Sequence, residues 1–272
     1  MMGSEKILSG RIAVSDEFQE VFSHFYFAEN NSESTITQKL LPSYQTIMIF
    51  SFGENAFIRS ENDENIKVEK CIVLGPIKKA FDYSLPSGNK ILVVNFKDDA
   101  FYRFFGPAAI TENLPIDPDS LLVENCFTAL WQRLNVIKDR EEQVCYILEF
   151  CKPYLKKRNP VAQQLIELKN TVYSPIKKVA EDKKQSERAI QLTHKKHLGY
   201  SAKEIMRYQR FLKAVHLMQD ITRTSTKGDW FQIVEQCGYY DQSQLINDFK
   251  HYMNISPSKY LKLQLSICNP MD

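Results

Sequence analysis

The sequence of 272 residues is short of the features that would settle its class at a glance. No stretch approaches the ~18 uninterrupted apolar residues of a membrane-spanning helix, so no membrane association is expected. The first residues, Met1 to Ile7, lack the apolar core of a secretory leader, and no signal peptide is expected. The six cysteines (71, 126, 145, 151, 237 and 268) contain no Cys-x-x-Cys pair. That speaks against zinc and against a disulfide framework, and it suits a reducing, cytoplasmic setting. Of the five histidines only His24 falls in residues 1–159. Metal-binding cupin-like sites need several histidines and a carboxylate at close spacing, so neither a metal nor another cofactor is expected. Triad, nucleophile-elbow, Walker and dinucleotide signatures are also missing, and the chain is not expected to be an enzyme.

What the sequence does have is an uneven distribution of charge. The net charge is only +2, yet residues 160–272 are basic on balance and residues 1–159 acidic. A basic C-terminal part suggests a polyanionic partner for that part alone. The length admits one large or two ordinary domains.

Hydrophobic periodicity divides the chain the same way. Short runs separated by turn residues predict strands at Val21–Phe27, Tyr44–Phe50, Ala56–Ser60, Lys67–Leu74, Lys78–Tyr83 and Lys90–Phe96, hence a barrel or two-sheet sandwich. Aromatics on these strands (Phe25, Tyr26, Phe27, Phe57, Phe81, Tyr83 and Phe96) suit a core first and a ligand pocket second. Helical spacing then predicts two amphipathic helices, Asp119–Ile137 and Asp139–Leu155. The run from Lys152 to Pro160, basic and bracketed by prolines, marks a boundary near 159. Beyond it the expected helices are 161–171, 175–182, 186–197, 202–220, 228–237, 242–252 and 257–266. Ser201 with Glu204, and Asp241 with Gln244, have the spacing of capping boxes, and Ser256-Pro257 is a further helix start. The fold class expected is α+β, a β-rich barrel or sandwich with two helices (1–159) followed by an all-α domain (160–272).

The all-α part repeats itself at an offset of 55. Ser186, Ile190, His194, Lys195, Leu198, Gly199 and Ser201 correspond to Asp241, Leu245, Phe249, Lys250, Met253, Asn254 and Ser256. Each copy thus has a capping side chain, an apolar helical stripe and a residue tolerant of left-handed backbone. Each follows a shorter helix closely, so two helix-turn-helix units joined by one long linker helix are expected.

These residues resemble the DNA-binding domain of the AraC/XylS family of transcriptional regulators. The run Ile233 to Ser243, then Phe249-Lys250 and Ser256-Pro257-Ser258-Lys259-Tyr260, follows the family pattern, as do Arg210-Phe211 and Ala214 in the linker. Gly75-Pro76, Asn95-Phe96 and Arg103 to Gly106 resemble the cupin-like N-terminal domain of some members. The first unit departs from the pattern, with Lys183, Lys184 and Gln185 where a glycine turn is usual, and with His194 at a core position, where a buried neutral imidazole is expected. The resemblance implies a sequence-specific regulator binding duplex DNA, with a small-molecule effector, RNA polymerase and a second copy of the chain as further partners. The alternative is a β-domain sensor or enzyme whose helical tail makes protein contacts.

Residues near the start of a recognition helix, opposite its core stripe, read bases. In the second unit these are Gln242, Ser243, Gln244 and Asn247, with Lys250 placed for phosphate. In the first unit Arg188 and Gln191 are the base readers expected and Lys195 a further DNA contact. Leu192 fits either a thymine methyl or packing. Lys177, Lys178, Lys183, Lys184 and Lys196 are phosphate candidates.

Overall fold

The computed structural model describes residues 7–59, 65–106, 115–122, 125–169, 174–223, 230–263 and 267–268. Two five-stranded sheets face each other. The first runs β1 (Ile7–Ile12), β2 (Phe22–Asn30), β9 (Lys90–Phe96), β4 (Ile47–Phe52) and β7 (Cys71–Leu74). The second runs β10 (Ile267–Cys268), β3 (Ile36–Leu40), β8 (Phe81–Leu85), β5 (Ala56–Arg59) and β6 (Asn65–Val68). Every pairing is antiparallel except that of β10 with β3.

The central strand β4 is buried along its whole length because both its faces are covered. Ile47 and Ile49 point between the sheets, while Met48, Phe50 and Phe52 face the helices packed behind the first sheet. Alternation of side chains makes this division automatic, and it gives a continuous apolar run instead of an alternating one. Each large apolar side chain so buried contributes roughly 1.5–3 kcal/mol.

Several elements differ from the sequence reading, each for a local reason. The run Lys67–Leu74 is two strands, because the chain crosses from one sheet to the other at Glu69-Lys70. The strand expected at Lys78–Tyr83 begins only at Phe81, because the N–H of Ala80 is committed to the carbonyl of Tyr252 at 2.7 Å. Strands β1 and β3 and the aromatic helix α1 (Ala100–Phe105) were not anticipated. The helix expected over Asp119–Ile137 is α2 (Pro118–Leu122) and α3 (Cys126–Val136), with 123–124 outside the described residues. Asp119 explains the break: its buried carboxylate accepts the N–H groups of Phe127 at 2.7 Å and Thr128 at 2.9 Å, capping the second helix from the first. Helix α4 (Arg140–Cys151) follows, with Asp139 as its cap.

The C-terminal helices are α5 (Pro160–Leu168), α6 (Pro175–Lys183), α7 (Glu187–Leu198), α8 (Ala202–Arg223), α9 (Trp230–Cys237), α10 (Gln242–Met253) and α11 (Pro257–Leu263). Positions 60, 170–171, 228–229 and 264–266 of the expected elements lie outside the described residues. The second unit shares a large core with α8, in which Phe211 meets Phe249 at 5.0 Å and Tyr252 at 4.6 Å. The first unit has a smaller one, made by Leu165, Ile176, Val179, Ala180 and Ile190.

The β part meets the helices along one seam. Tyr44, in the connection between β3 and β4, stacks on Tyr208 at 4.5 Å and touches Tyr200 at 5.2 Å and Tyr252 at 6.5 Å. Around it, Tyr208 donates to the Pro42 carbonyl and Lys78 pairs with Glu204 at 3.0 Å. Buried Asp99 pairs with Arg158 at 2.8 Å, in the connection that leads to α5.

Both short helix turns have the same geometry despite their different sequences. Gly238 N–H reaches Glu235 and Tyr239 N–H reaches Val234; Lys184 N–H reaches Glu181 and Gln185 N–H reaches Ala180. Both are Schellman ends, and both need left-handed backbone at the first residue past the helix. Gly238 supplies it freely at φ 73°, whereas Lys184 adopts it at φ 52° against the repulsion of its own Cβ. Lys184→Gly is therefore expected to raise the unfolding free energy by up to about 1 kcal/mol, and Gly238→Ala to lower it by about as much. Denaturant unfolding of the two variants checks both signs.

Candidate nucleic-acid interface and internal cavity

The two recognition helices are built alike. Helices α7 and α10 each have 12 residues and start 55 apart, as the internal repeat requires. Ser186 Oγ accepts the Ala189 N–H at 3.2 Å, and Asp241 Oδ1 accepts the Gln244 N–H at 2.7 Å. Both helices end on left-handed residues, Gly199 at φ 79° and Asn254 at φ 55°. A side chain at Gly199 would also press on Pro76, whose Cγ lies 3.0 Å from where a Cβ would stand.

Packing decides which side of each helix faces out. In α7, Ile190 and His194 are buried. The His194 Nδ1 lies 2.8 Å from the Tyr200 carbonyl, and burial lowers its pKa below the ordinary value, so it serves as a neutral core residue. Arg188, Gln191, Lys195 and Lys196 are exposed on the other side, as is Leu192 at 63%. In α10, Leu245, Asp248, Phe249 and Tyr252 face inward, and Gln242, Ser243, Asn247 and Lys250 face out. Gln244 stands apart from the other expected readers. It is half-buried, and its side-chain oxygen accepts the N–H of Tyr240, the residue before the Asp241 cap, at 3.0 Å. Among the phosphate candidates, Lys178 is paired with Asp182 at 2.9 Å.

Sequence reasoning missed the group that fixes the rotation of α10. Asp248 is 1% exposed and is held by Arg207 at 2.7 Å and Arg210 at 3.2 Å, two arginines three residues apart on α8. An acidic residue within the apolar stripe of α10 was the available signal. The start of α8 is fixed with equal care: Ser201 and Glu204 cap each other reciprocally at 2.7 and 3.2 Å. Burial pushes the Glu204 carboxyl up, but the Ser201 donors and the Lys78 ammonium outweigh it and hold the pKa at about 2.

Between the two sheets lies a cavity of about 160 Å³. Its walls are mostly apolar, among them Ile47, Ile49, Ile58, Phe81 and Val93, and its polar groups come from Arg11, His24, Tyr26, Ser43, Tyr83 and Asn95. Of the strand aromatics singled out in the sequence, Tyr26, Phe57, Phe81 and Tyr83 line this space. Phe25, Phe27 and Phe96 pack instead toward the helices behind the first sheet. No group of three or more potential metal ligands occurs among the described residues, and no described helix is long and apolar enough to cross a membrane.

Comparison with known proteins follows these two halves. A helix-turn-helix domain family matches residues 179–263, and a family described as a domain of unknown function, DUF6597, matches residues 11–112. No curated protein matches the chain. Among solved structures, the chain is similar to ToxT from Vibrio cholerae. One ToxT structure is 14% identical with a TM-score of 0.43, covering 95% of this chain and 99% of that one; another, from strain O395, is 15% identical with a TM-score of 0.40. An RmlC-like cupin protein from Desulfovibrio desulfuricans is 12% identical over 35% of this chain, with a TM-score of 0.27. With paired units of this geometry and a matching helix-turn-helix family, the chain is a DNA-binding regulator of transcription. The helix-turn-helix match falls on the part of the chain whose motifs resemble the AraC/XylS family.

His24 offers a direct check on the cavity. Burial first, and then the neighbouring Arg11, lower its pKa from 6.5 to about 4. Between those values the unfolded chain binds the proton and the folded chain does not, so this group removes stability as pH falls from 6.5 toward 4. Imidazole NMR of the folded protein should place the His24 midpoint below 5, and His24→Asn should flatten that part of the stability curve.

Proposed function

We propose that residues 160–272 read duplex DNA by placing α7 and α10 in adjacent major grooves, and that residues 1–159 hold a small effector in the sandwich cavity. The observation that carries the DNA reading is the structural repeat itself: two helices of equal length and equal caps, each with a polar face turned outward, joined by α8. Arg188 suits guanine, and Gln191, Gln242 and Asn247 suit adenine, with Ser243 able to meet either. Lys195 and Lys250 take phosphates. Gln244, engaged with the Tyr240 N–H, acts as a helix cap instead of a base reader. For the effector, the apolar walls favour a compact apolar body, and Arg11, Ser43 and Asn95 offer contacts for a polar or anionic end. The role is regulatory and cytoplasmic, without catalysis.

A duplex site recovered by selection tests the DNA reading. Gln242→Ala should cost about 1–3 kcal/mol of binding and relax preference at one base position. Lys250→Ala should weaken binding to all sequences alike and flatten the salt dependence by about 0.9 in log–log slope. Gln244→Ala should lower helix stability and leave base preference unchanged. A full chain that shows no salt-dependent binding to any duplex would sink the proposal. For the cavity, a ligand that binds the folded state raises the melting temperature by mass action. Arg11→Ala should reduce that rise for anionic apolar compounds and spare neutral ones.

A further inference from the structure

Because α7 and α10 have the same length and start 55 residues apart, each position of one has a counterpart in the other. Gln242, Ser243, Asn247 and Lys250 are exposed on α10, and their counterparts Glu187, Arg188, Leu192 and Lys195 are exposed on α7. Three of those four α7 residues are charged. The fourth is aliphatic, 63% exposed, and stands where the second unit carries Asn247.

A single apolar residue on an ordinary surface needs no explanation. Leu192 differs in where it points. Ile190 and His194 are the buried residues of α7. At about 100° per residue, Leu192 projects about 180° from the midpoint between them, so its direction and its exposure both exclude packing in its own core. Arg188 lies one turn before it and Lys195 one turn after it, on the same stripe. Of the large apolar side chains exposed among the described residues, Leu192 is the one on a recognition helix.

Chemistry narrows what such a residue can meet. Leucine has neither donor nor acceptor, so it cannot pair with the polar base edges that distinguish adenine, guanine and cytosine in a major groove. The apolar group presented there is the C5 methyl of thymine. Arg188 and Lys195 meanwhile favour the approach of a polyanion to the same stripe.

We propose that Leu192 reads a thymine through its C5 methyl group and so sets the base preference of the first unit at that position. The proposal rests on the placement of α7 in a major groove. It makes the two units unlike readers, the first using an apolar contact where the second offers the amide of Asn247. Removing the methyl from this contact should weaken binding roughly threefold to fivefold.

The test uses the full chain, a site selected from unmethylated synthetic duplexes, and fluorescence anisotropy. Each thymine of the site is replaced singly by deoxyuridine, which keeps its pairing and lacks only the methyl. At one thymine, deoxyuridine should weaken wild-type binding by that factor and leave binding of the Leu192→Ala variant unchanged. Replacement of the other thymines should affect both proteins alike, a pattern that a misfolded variant cannot produce. If no thymine shows the effect, or if the effect persists in Leu192→Ala, the assignment is overturned. If Leu192→Ala leaves affinity and base preference untouched, the residue serves a protein contact and the thymine assignment falls. A chain that selects no site sinks the DNA reading itself, a result distinct from a selected site without methyl dependence.

Discussion

The position of both helix-turn-helix units relative to the β part depends on one strained tyrosine. Tyr44 sits at φ 55°, a left-handed conformation that costs a residue with a Cβ about 1–2 kcal/mol. Its ring persists there because three other tyrosines hold it. Tyr200 follows the end of α7, Tyr208 lies on α8 and Tyr252 is in the last turn of α10. Aromatic pairs contribute roughly 0.5–1.5 kcal/mol each beyond the area they bury, so three together outweigh the backbone strain. One ring thereby serves as the reference point for the first unit, the linker and the second unit.

The linker makes that reference effective. Helix α8 is a single run of 22 residues, about 33 Å at 1.5 Å per residue. In its first half Arg207 and Arg210 grip Asp248, and the cation of Arg210 also lies over the Tyr239 ring at 4.5 Å. A buried ion pair adds little net stability once desolvation is counted. Its effect lies in geometry, because an unpaired Asp248 would be costly in any other rotation of α10. The rotation it enforces is the one that turns Gln242, Ser243 and Asn247 outward.

What the sequence revealed, and what it hid, follows from how local each signal is. Caps and turns act within four or five residues, so Ser186, Asp241, Ser256 and the repeat at 55 were legible from spacing alone. At Lys183, Lys184 and Gln185 the first unit departs from the pattern in residue type, yet Lys184 keeps the left-handed backbone that a glycine would supply. Strand β3, Ile-Thr-Gln-Lys-Leu, has too little apolar alternation to stand out, and β10 is two residues whose pairing partner is far away in the chain. The tyrosine seam was invisible for the same reason: positions 44, 200, 208 and 252 share no periodicity. Gln244 has two compatible readings in the sequence, cap and base reader, and its contact with the Tyr240 N–H depends on a geometry that spacing does not show.

The seam also has a particular construction on the β side. Two of the connections that make it, residues 41–46 and 75–80, are laced together by backbone bonds. Ser43 and Tyr44 N–H groups both reach the Ile77 carbonyl, at 3.0 and 2.9 Å, and Ile77 N–H returns to the Gln45 carbonyl at 2.9 Å. The first connection carries Ser43 in the cavity wall and Tyr44 in the aromatic cluster. The second carries Pro76 against Gly199, Lys78 on Glu204 and Ala80 on Tyr252. Laced backbone is stiff, and close-packed seams shift between discrete arrangements instead of bending gradually. Ser43 therefore cannot move far in the cavity wall without carrying Tyr44 and Ile77 with it, and through them the contacts to both units.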